Sequence, residues 1–542
     1  MGDSRRGFSQ HHLGMADIEL TYSCGLVPRD GELPARETIA TVFDELDFQT
    51  AVQAYLWAIP IVSWAQWMDV HTNIFGATAS DIVVYRSYRD RLGLITANAT
   101  TPYILNFFDL GATGPLVIEL PPGPTAGGIA DFWQREFAVL GEMGPGAGKG
   151  GKTLVVGPGQ SAEDTGDYTV VHSPMMHIMF GFRTLDPDPA RSDALVDAVR
   201  VYPYSDRENP SPTRLVSPDG KPWSGIQPRD LRYWELLHDI VQDEPVEERD
   251  RFPMAWLRQL GIEKGKPFAP DDRVRKILQR AVEVGEVFAQ ANTFVKRFPG
   301  SRYWPDRQWD LAIVLDNSAQ RGDNYDEFYE RASWFYEAVT FSEAMKSTTP
   351  GLGQAYLGSY ADAEGHWLDG AKSYTLHVPA DVPAKLFWSA TVYSVDTRCL
   401  VDNEQGRGDR GSRDPDLVVN EDGSVDLYYG PTAPVGKEPN WVQTIVGQHW
   451  FSYFRFYGRS NRISIGLGSL VTSSRPRAWS VSRTADQFDN GVQKDTAPAQ
   501  PVVAAVEDPT RYLRSCGLQC LCDRCAVPDH VGLVLTYFED NA

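Results

Sequence analysis

The chain has 542 residues, 42% of them hydrophobic, which allows about three domains with cores of their own and excludes global disorder. Its 72 acidic residues outnumber the 51 basic ones for a formal charge of −21, a balance that argues against nucleic acid or an anionic membrane as a partner. No run of about 18 apolar residues occurs, and no apolar stretch follows Arg5-Arg6, so no membrane span or signal is predicted and the expected location is the cytoplasm.

Residues 1–40 are polar and Gly-rich and read as a loose arm. From Asp47 to Trp67 the spacing of Phe48, Val52, Tyr55, Leu56 and Ile59 predicts a helix, with a kink or a stop at Pro60. Short β-type runs follow at Tyr103–Phe108, Leu116–Leu120, Thr153–Val156 and Tyr168–Val171, punctuated by Pro121-Pro122, Gly127-Gly128 and Pro158-Gly159. That rhythm predicts a β-sandwich over 41–205. Residues 206–350 change to helical patterning: Leu231–Val241, Val274–Phe298 and Asp326–Met345. Strands return over 351–458, at Leu376–Val378, Lys385–Val395 and Trp450–Tyr457. A hairpin is expected between Asp416 and Tyr429 around an Asp422-Gly423 turn. The fold class is therefore mainly β with a helical module, α+β overall.

Several blocks carry a resemblance. Ile95-Thr-Ala-Asn-Ala-Thr-Thr-Pro-Tyr103, Gly114-Pro-Leu-Val-Ile-Glu-Leu-Pro121 and the Gly144–Lys152 segment resemble domain of unknown function 1254. Tyr374-Thr-Leu-His-Val-Pro379, Asp414-Pro-Asp-Leu417, Asp422-Gly-Ser-Val-Asp-Leu-Tyr428 and Asn440-Trp441 resemble its usual partner, domain of unknown function 1214. The resemblance covers about residues 35–458. It implies an immunoglobulin-like sandwich, a helical module and a jelly-roll-like sandwich, and it implies no reaction.

The resemblance stops after Tyr457-Gly458, where the family pattern continues as Pro-x-Glu-Pro-Tyr-Phe-Asp. Here the chain reads Arg459-Ser-Asn-Arg-Ile-Ser-Ile-Gly. Permitted codons for Arg459 to Ser474, with one C placed in front, give Pro-Ile-Glu-Pro-Tyr-Phe-Asp-Trp-Thr-Trp-Lys-Leu-Gly-Asp-Ile-Glu in the shifted frame. The block returns whole and in order. Residues 459–542 thus read as a frameshifted, poorly structured tail. Resequencing is expected to find a base missing near codon 459; an intact frame would make the tail a genuine extension.

Gly146-Ala-Gly-Lys-Gly-Gly-Lys152-Thr153 matches the P-loop pattern, but a P-loop must open a helix whose N-terminus cradles phosphate. Leu154-Val-Val follows instead, so a strand and no nucleotide are expected there. Cys516, Cys520, Cys522 and Cys525 with His530 lie in the suspect tail at irregular spacing, and no metal ligands are assigned. Cys24 and Cys399 stand alone and read as inert. The ten His form no HExxH or HxH, and each, His177 included, reads as structural. No cofactor is expected, and the oligomeric state is open.

Two polar clusters are the candidate ligand-binding residues. One is Asn98, Thr101, Tyr103, Asp109 and Trp133, where polar groups beside aromatics suit a small polar ligand. The other crowds one loop: Arg398, Asp402, Asn403, Arg410, Arg413 and Asp414, with Asp396, Arg407, Asp409 and Asp416 among them. Such Arg–carboxylate pairs brace a loop or line a site, and bracing is the commoner use. Two functions remain: an enzyme, such as a hydrolase, acting on a small polar or glycosidic substrate between the modules, or a non-catalytic binding or scaffold protein. Convergence of side chains from both modules on one concavity favours a site.

Overall fold

The computed structural model describes residues 35–342, Met345, 354–459 and 472–473. Of the expected arm over residues 1–40, residues 1–34 lie outside the described residues and Arg36 onward is helical. Cys24, the tail Cys cluster and most of residues 460–542 also lie outside them. Sheets and helices mix in an α+β architecture.

The first helix, Arg36–Asp69, passes through Pro60 rather than stopping there. Between Ala51 and Trp67 it is apolar and buried on nearly every side, so packing outweighs the roughly 3 kcal/mol that an interior proline costs. A turn of π-helix, Val70–Ile74, ends it. Around it pack the helices Arg232–Asp243, Arg251–Gln259, Asp272–Phe294 and Phe328–Glu337. The last is shorter than the pattern predicts because Ala338 turns extended.

Two pairs of sheets flank these helices. A six-stranded sheet runs in the order Arg214–Val216, Asp81–Tyr85, Tyr103–Asp109, His177–Thr184, Thr125–Asp131, Glu136–Gly141. A four-stranded sheet, Thr169–His172, Gly151–Val156, Leu116–Leu120, Arg200–Pro203, packs against it. Side chains alternate between faces: Ile104 and Phe108 point into this sandwich, whereas Leu105 and Phe107 join the helical core.

The second pair has a five-stranded sheet, Asp310–Leu311, Gln354–Ser359, Trp450–Arg459, Ala384–Ser394, Asp409–Gly411. Its partner sheet holds Trp441–Gln443, Val425–Gly430, Tyr374–Val378 and Thr472–Ser473. Phe454 and Phe456 face the sandwich interior, while Phe451 and Tyr453 face the helices. The expected hairpin is half realised. Val425–Gly430 is a strand, but the arm before it is a loop whose Val418 N–H donates to Asn440 Oδ1 at 2.8 Å.

The glycine-rich segment enters the strand Gly151–Val156 and opens no helix. Gly150 sits at φ +72°, and a Cβ there would lie 2.6 Å from Pro122 N. Lys152 faces Glu119 at 3.4 Å.

Candidate functional site

The outer face of the five-stranded sheet turns towards the first sandwich. On the strand Trp450–Arg459 that face carries Tyr453, Arg455 and Tyr457, by alternation. Register places Tyr356 and Ser389 on either side of Arg455, and Asp409 beside Thr391. Arg455 is 3% exposed. Its guanidinium donates to Thr391 Oγ1 at 3.1 Å, to Tyr393 OH at 2.5 Å and to the Thr96 carbonyl at 2.9 Å. It also lies 5.3–5.5 Å from the ring centroids of Tyr356, Tyr393 and Tyr453.

The first sandwich presents Arg183, from the end of its strand, and the loop before Tyr103. Arg183 lies over the Tyr103 ring at 4.8 Å and donates to Thr101 Oγ1 at 3.2 Å. Its electrostatic neighbours are Tyr103, Tyr457, Tyr356 and Arg455. No ion pair joins it to a carboxylate among the described residues. Tyr457 OH and Ser389 Oγ are buried without a hydrogen-bond partner among the described residues. Arg183, Tyr103, Tyr356 and Asp409 are half-buried, so the seam reaches solvent. Burial pushes the Asp409 carboxyl above its ordinary range, against the pull of Arg407, Arg91 and Arg455.

Asn98, Thr101 and Tyr103 from one sequence cluster, and Asp409 from the other, therefore border this seam. Asn98 shapes the loop: its Oδ1 accepts from the N–H groups of Thr100 and Thr101, at 2.6 and 3.0 Å, and its Nδ2 donates to Thr101 Oγ1 at 2.7 Å. Tyr103 OH accepts from Asn98 N–H at 2.8 Å. Asp109 stands at the far end of Tyr103's strand, where it caps a short helix. Trp133 lies in the helical core, edge-on to Trp57, with Arg331 4.9 Å from its ring centroid. The cleft beside it, lined by Trp57, Trp133, Met175 and Glu244 among others, has a volume of about 30 Å³. That admits about two waters and falls far below the roughly 300 Å³ of a small-molecule site.

The loop cluster divides. Arg398, at φ +59°, is buried against the helices, donating to Gln227 Oε1 at 2.6 Å and the Tyr336 carbonyl at 3.2 Å. Arg410 and Asp414 come together at 3.8 Å, and Arg410 also holds Asp416 at 3.1 Å. Arg407 pairs with Asp414. Asn403 Nδ2 donates to the carbonyls of Arg407 and Gln443, Arg413 stacks on Phe387, and Asp402 is exposed. These contacts are braces. Cys399 is buried, which pushes its thiol up to about 12.

Sequence reasoning missed Arg183, Arg455, Tyr356 and Tyr457. One signal was present: Arg455 is a lone charge inside the aromatic strand Phe451-Ser-Tyr-Phe-Arg-Phe-Tyr457.

No curated protein matches the chain. The solved VPA0106 protein from Vibrio parahaemolyticus is 17% identical with a TM-score of 0.48, over 79% of this chain and 100% of its own. A putative uncharacterized protein from Burkholderia cenocepacia is 11% identical with a TM-score of 0.37, over 81% of this chain and 98% of its own. Among the described residues no helix is long and apolar enough to cross a membrane. Two family models match, each described as a protein of unknown function, and each half of the seam falls in one of them. Residues 81–203 match DUF1254 and residues 353–461 match DUF1214, the pairing that the sequence blocks resemble.

Proposed function

We propose that the protein binds a small organic anion, a carboxylate attached to a flat ring, in the seam between its two sandwiches. The observation that carries this reading is Arg183, a half-buried guanidinium stacked on Tyr103 with no carboxylate partner among the described residues. A planar guanidinium with free donors takes a carboxylate in bidentate fashion. The orphan hydroxyls of Tyr457 and Ser389 offer further donors, and Tyr103 and Tyr356 offer aromatic faces. A glycosidase needs two carboxyl groups about 5–9.5 Å apart across the bond. In the seam Asp409 has for a neighbour Asp414, which Arg407 and Arg410 already engage. The arrangement thus favours binding over hydrolysis.

The test is thermal shift and calorimetry with benzoate, 4-hydroxybenzoate and inorganic phosphate, using benzamide as the neutral control. An aromatic carboxylate at 100 times its Kd is expected to stabilise the protein by about 2.7 kcal/mol. Arg183→Gln should weaken it about 10- to 150-fold, the loss of a charged hydrogen bond worth roughly 1.5–3 kcal/mol. Absence of binding by all three anions, with Arg183→Gln lowering the stability of the protein itself, would make Arg183 an interface brace.

A further inference from the structure

A second constellation lies at the opposite end of the strand that carries Tyr103. The strand Tyr103–Asp109 ends on Asp109, its neighbour His177–Thr184 begins on His177, and the two residues are direct register partners. The helix Arg232–Asp243 ends on Asp243 at the same place. One ligand atom from each of Asp109, His177 and Asp243 lies within 4.8 Å of the others.

The imidazole is fixed before any ligand arrives. His177 is 4% exposed and its ring packs against Phe132 at 5.1 Å. Glu244, the residue after the helix, accepts from the His177 backbone N–H and meets Nδ1, each at 2.7 Å. Nε2 is then the ring nitrogen left without a hydrogen bond among the described residues. Asp109 Oδ1 is held by the N–H groups of Gly111 and Ala112, at 2.7 and 3.2 Å, which leaves its other oxygen without a hydrogen bond among the described residues.

We propose that Asp109, His177 and Asp243 bind a divalent first-row transition metal ion, with Glu244 holding the imidazole from behind. One imidazole with two carboxylates is a set that such ions accept, and three protein ligands leave open positions. A carboxylate on the far ring nitrogen is the usual second partner of a ligating histidine: it fixes the tautomer and raises basicity. Ligands about 2.1 Å from a shared ion stand roughly 3–4 Å apart, and the three ligand atoms already lie within 4.8 Å of one another. Asp243 is exposed and gives the ion a route in.

The probe is Mn²⁺, followed by the electron paramagnetic resonance of the free ion during titration of the full chain. Carboxylate and imidazole take Mn²⁺, whereas thiols such as those of Cys516–Cys525 favour softer ions. One Mn²⁺ per chain is expected. Asp243→Asn, a surface change that spares the fold, should weaken it at least about tenfold, and Glu244→Gln about 10- to 100-fold. Asp109→Asn retains a helix-capping oxygen and should weaken it as Asp243→Asn does. Binding absent at millimolar Mn²⁺, or binding unchanged in Asp243→Asn, overturns the proposal and leaves His177 as an imidazole hydrogen-bonded to Glu244.

Discussion

Lys296→Met is expected to destabilise the protein by about 3–5 kcal/mol, because it leaves a carboxylate buried with no countercharge. Lys296 Nζ and Glu337 Oε2 are 2.8 Å apart, and neither side chain has any exposed surface. Lys296 follows the helix Asp272–Phe294 and Glu337 closes the helix Phe328–Glu337. Tyr360 OH, from the second sandwich region, donates to Glu337 Oε1, and Thr96 Oγ1, from the first, donates to the Glu337 carbonyl at 3.1 Å. The pair thus stands where three parts of the fold meet. Lys296→Met removes the cation and keeps the bulk. A second change, Glu337→Gln, then removes the stranded charge while leaving an oxygen for Tyr360. The double variant should recover most of the loss, measured by denaturant unfolding at neutral pH. Equal losses in the single and double variants would show that packing, not charge, holds this position.

Local signals made much of the fold legible. Tyr103–Asp109 and Leu116–Leu120 are strands as predicted, because apolar runs of that length stand between strong turn residues. The helix Asp272–Phe294 follows from its apolar spacing. Whether the first helix ends at Pro60 or runs on past it was open in the sequence, since the apolar surroundings that override a proline come from remote segments. The arm before Val425 failed for a related reason: Asn440, 22 residues from Val418, satisfies its backbone where a ladder was expected.

The candidate site shows the same limit. Asn98, Thr101 and Tyr103 could be read because they share one short loop. Arg183 is unremarkable in its own strand and Arg455 is marked only as a lone charge among aromatics; the docking of two sheets brings Tyr356 and Tyr457 within the field of both. Asp109 and His177 are likewise joined by register, which no spacing along the chain encodes. The dense Arg and Asp loop drew attention by composition, yet its geometry is that of mutual bracing.

Acid should unfold this protein in part through His71. The ring lies in the π-helical turn Val70–Ile74, is 1% exposed, and packs against Trp67, Phe75 and Phe107. Its hydrogen bonds have a direction. Asn106 Nδ2 donates to the carbonyls of Thr78 and Asp81, at 3.0 and 2.9 Å, so its Oδ1 faces His71 Nδ1 as an acceptor at 2.8 Å. Trp67 Nε1 donates to Tyr85 OH at 2.8 Å, which leaves the Tyr85 proton for His71 Nε2 at 2.7 Å. The imidazole must therefore be neutral, and burial lowers its pKa to about 3. In the unfolded chain it titrates near 6.5. Between those values the unfolded state takes up a proton that the folded state refuses, so stability falls as pH falls. The slope is about 1.4 kcal/mol per pH unit, and the total reaches roughly 5 kcal/mol near pH 3. His71→Gln offers an oxygen to Tyr85 and an N–H to Asn106 without a titrating group. The difference between the unfolding free energies of wild type and His71→Gln cancels the other ionisable groups that both share. That difference should be level above pH 7 and move against the wild type by one proton's slope between pH 6 and 4. A level difference across the whole range would mean that the folded protein accommodates a protonated His71, and that Tyr85 turns its hydroxyl away to let it.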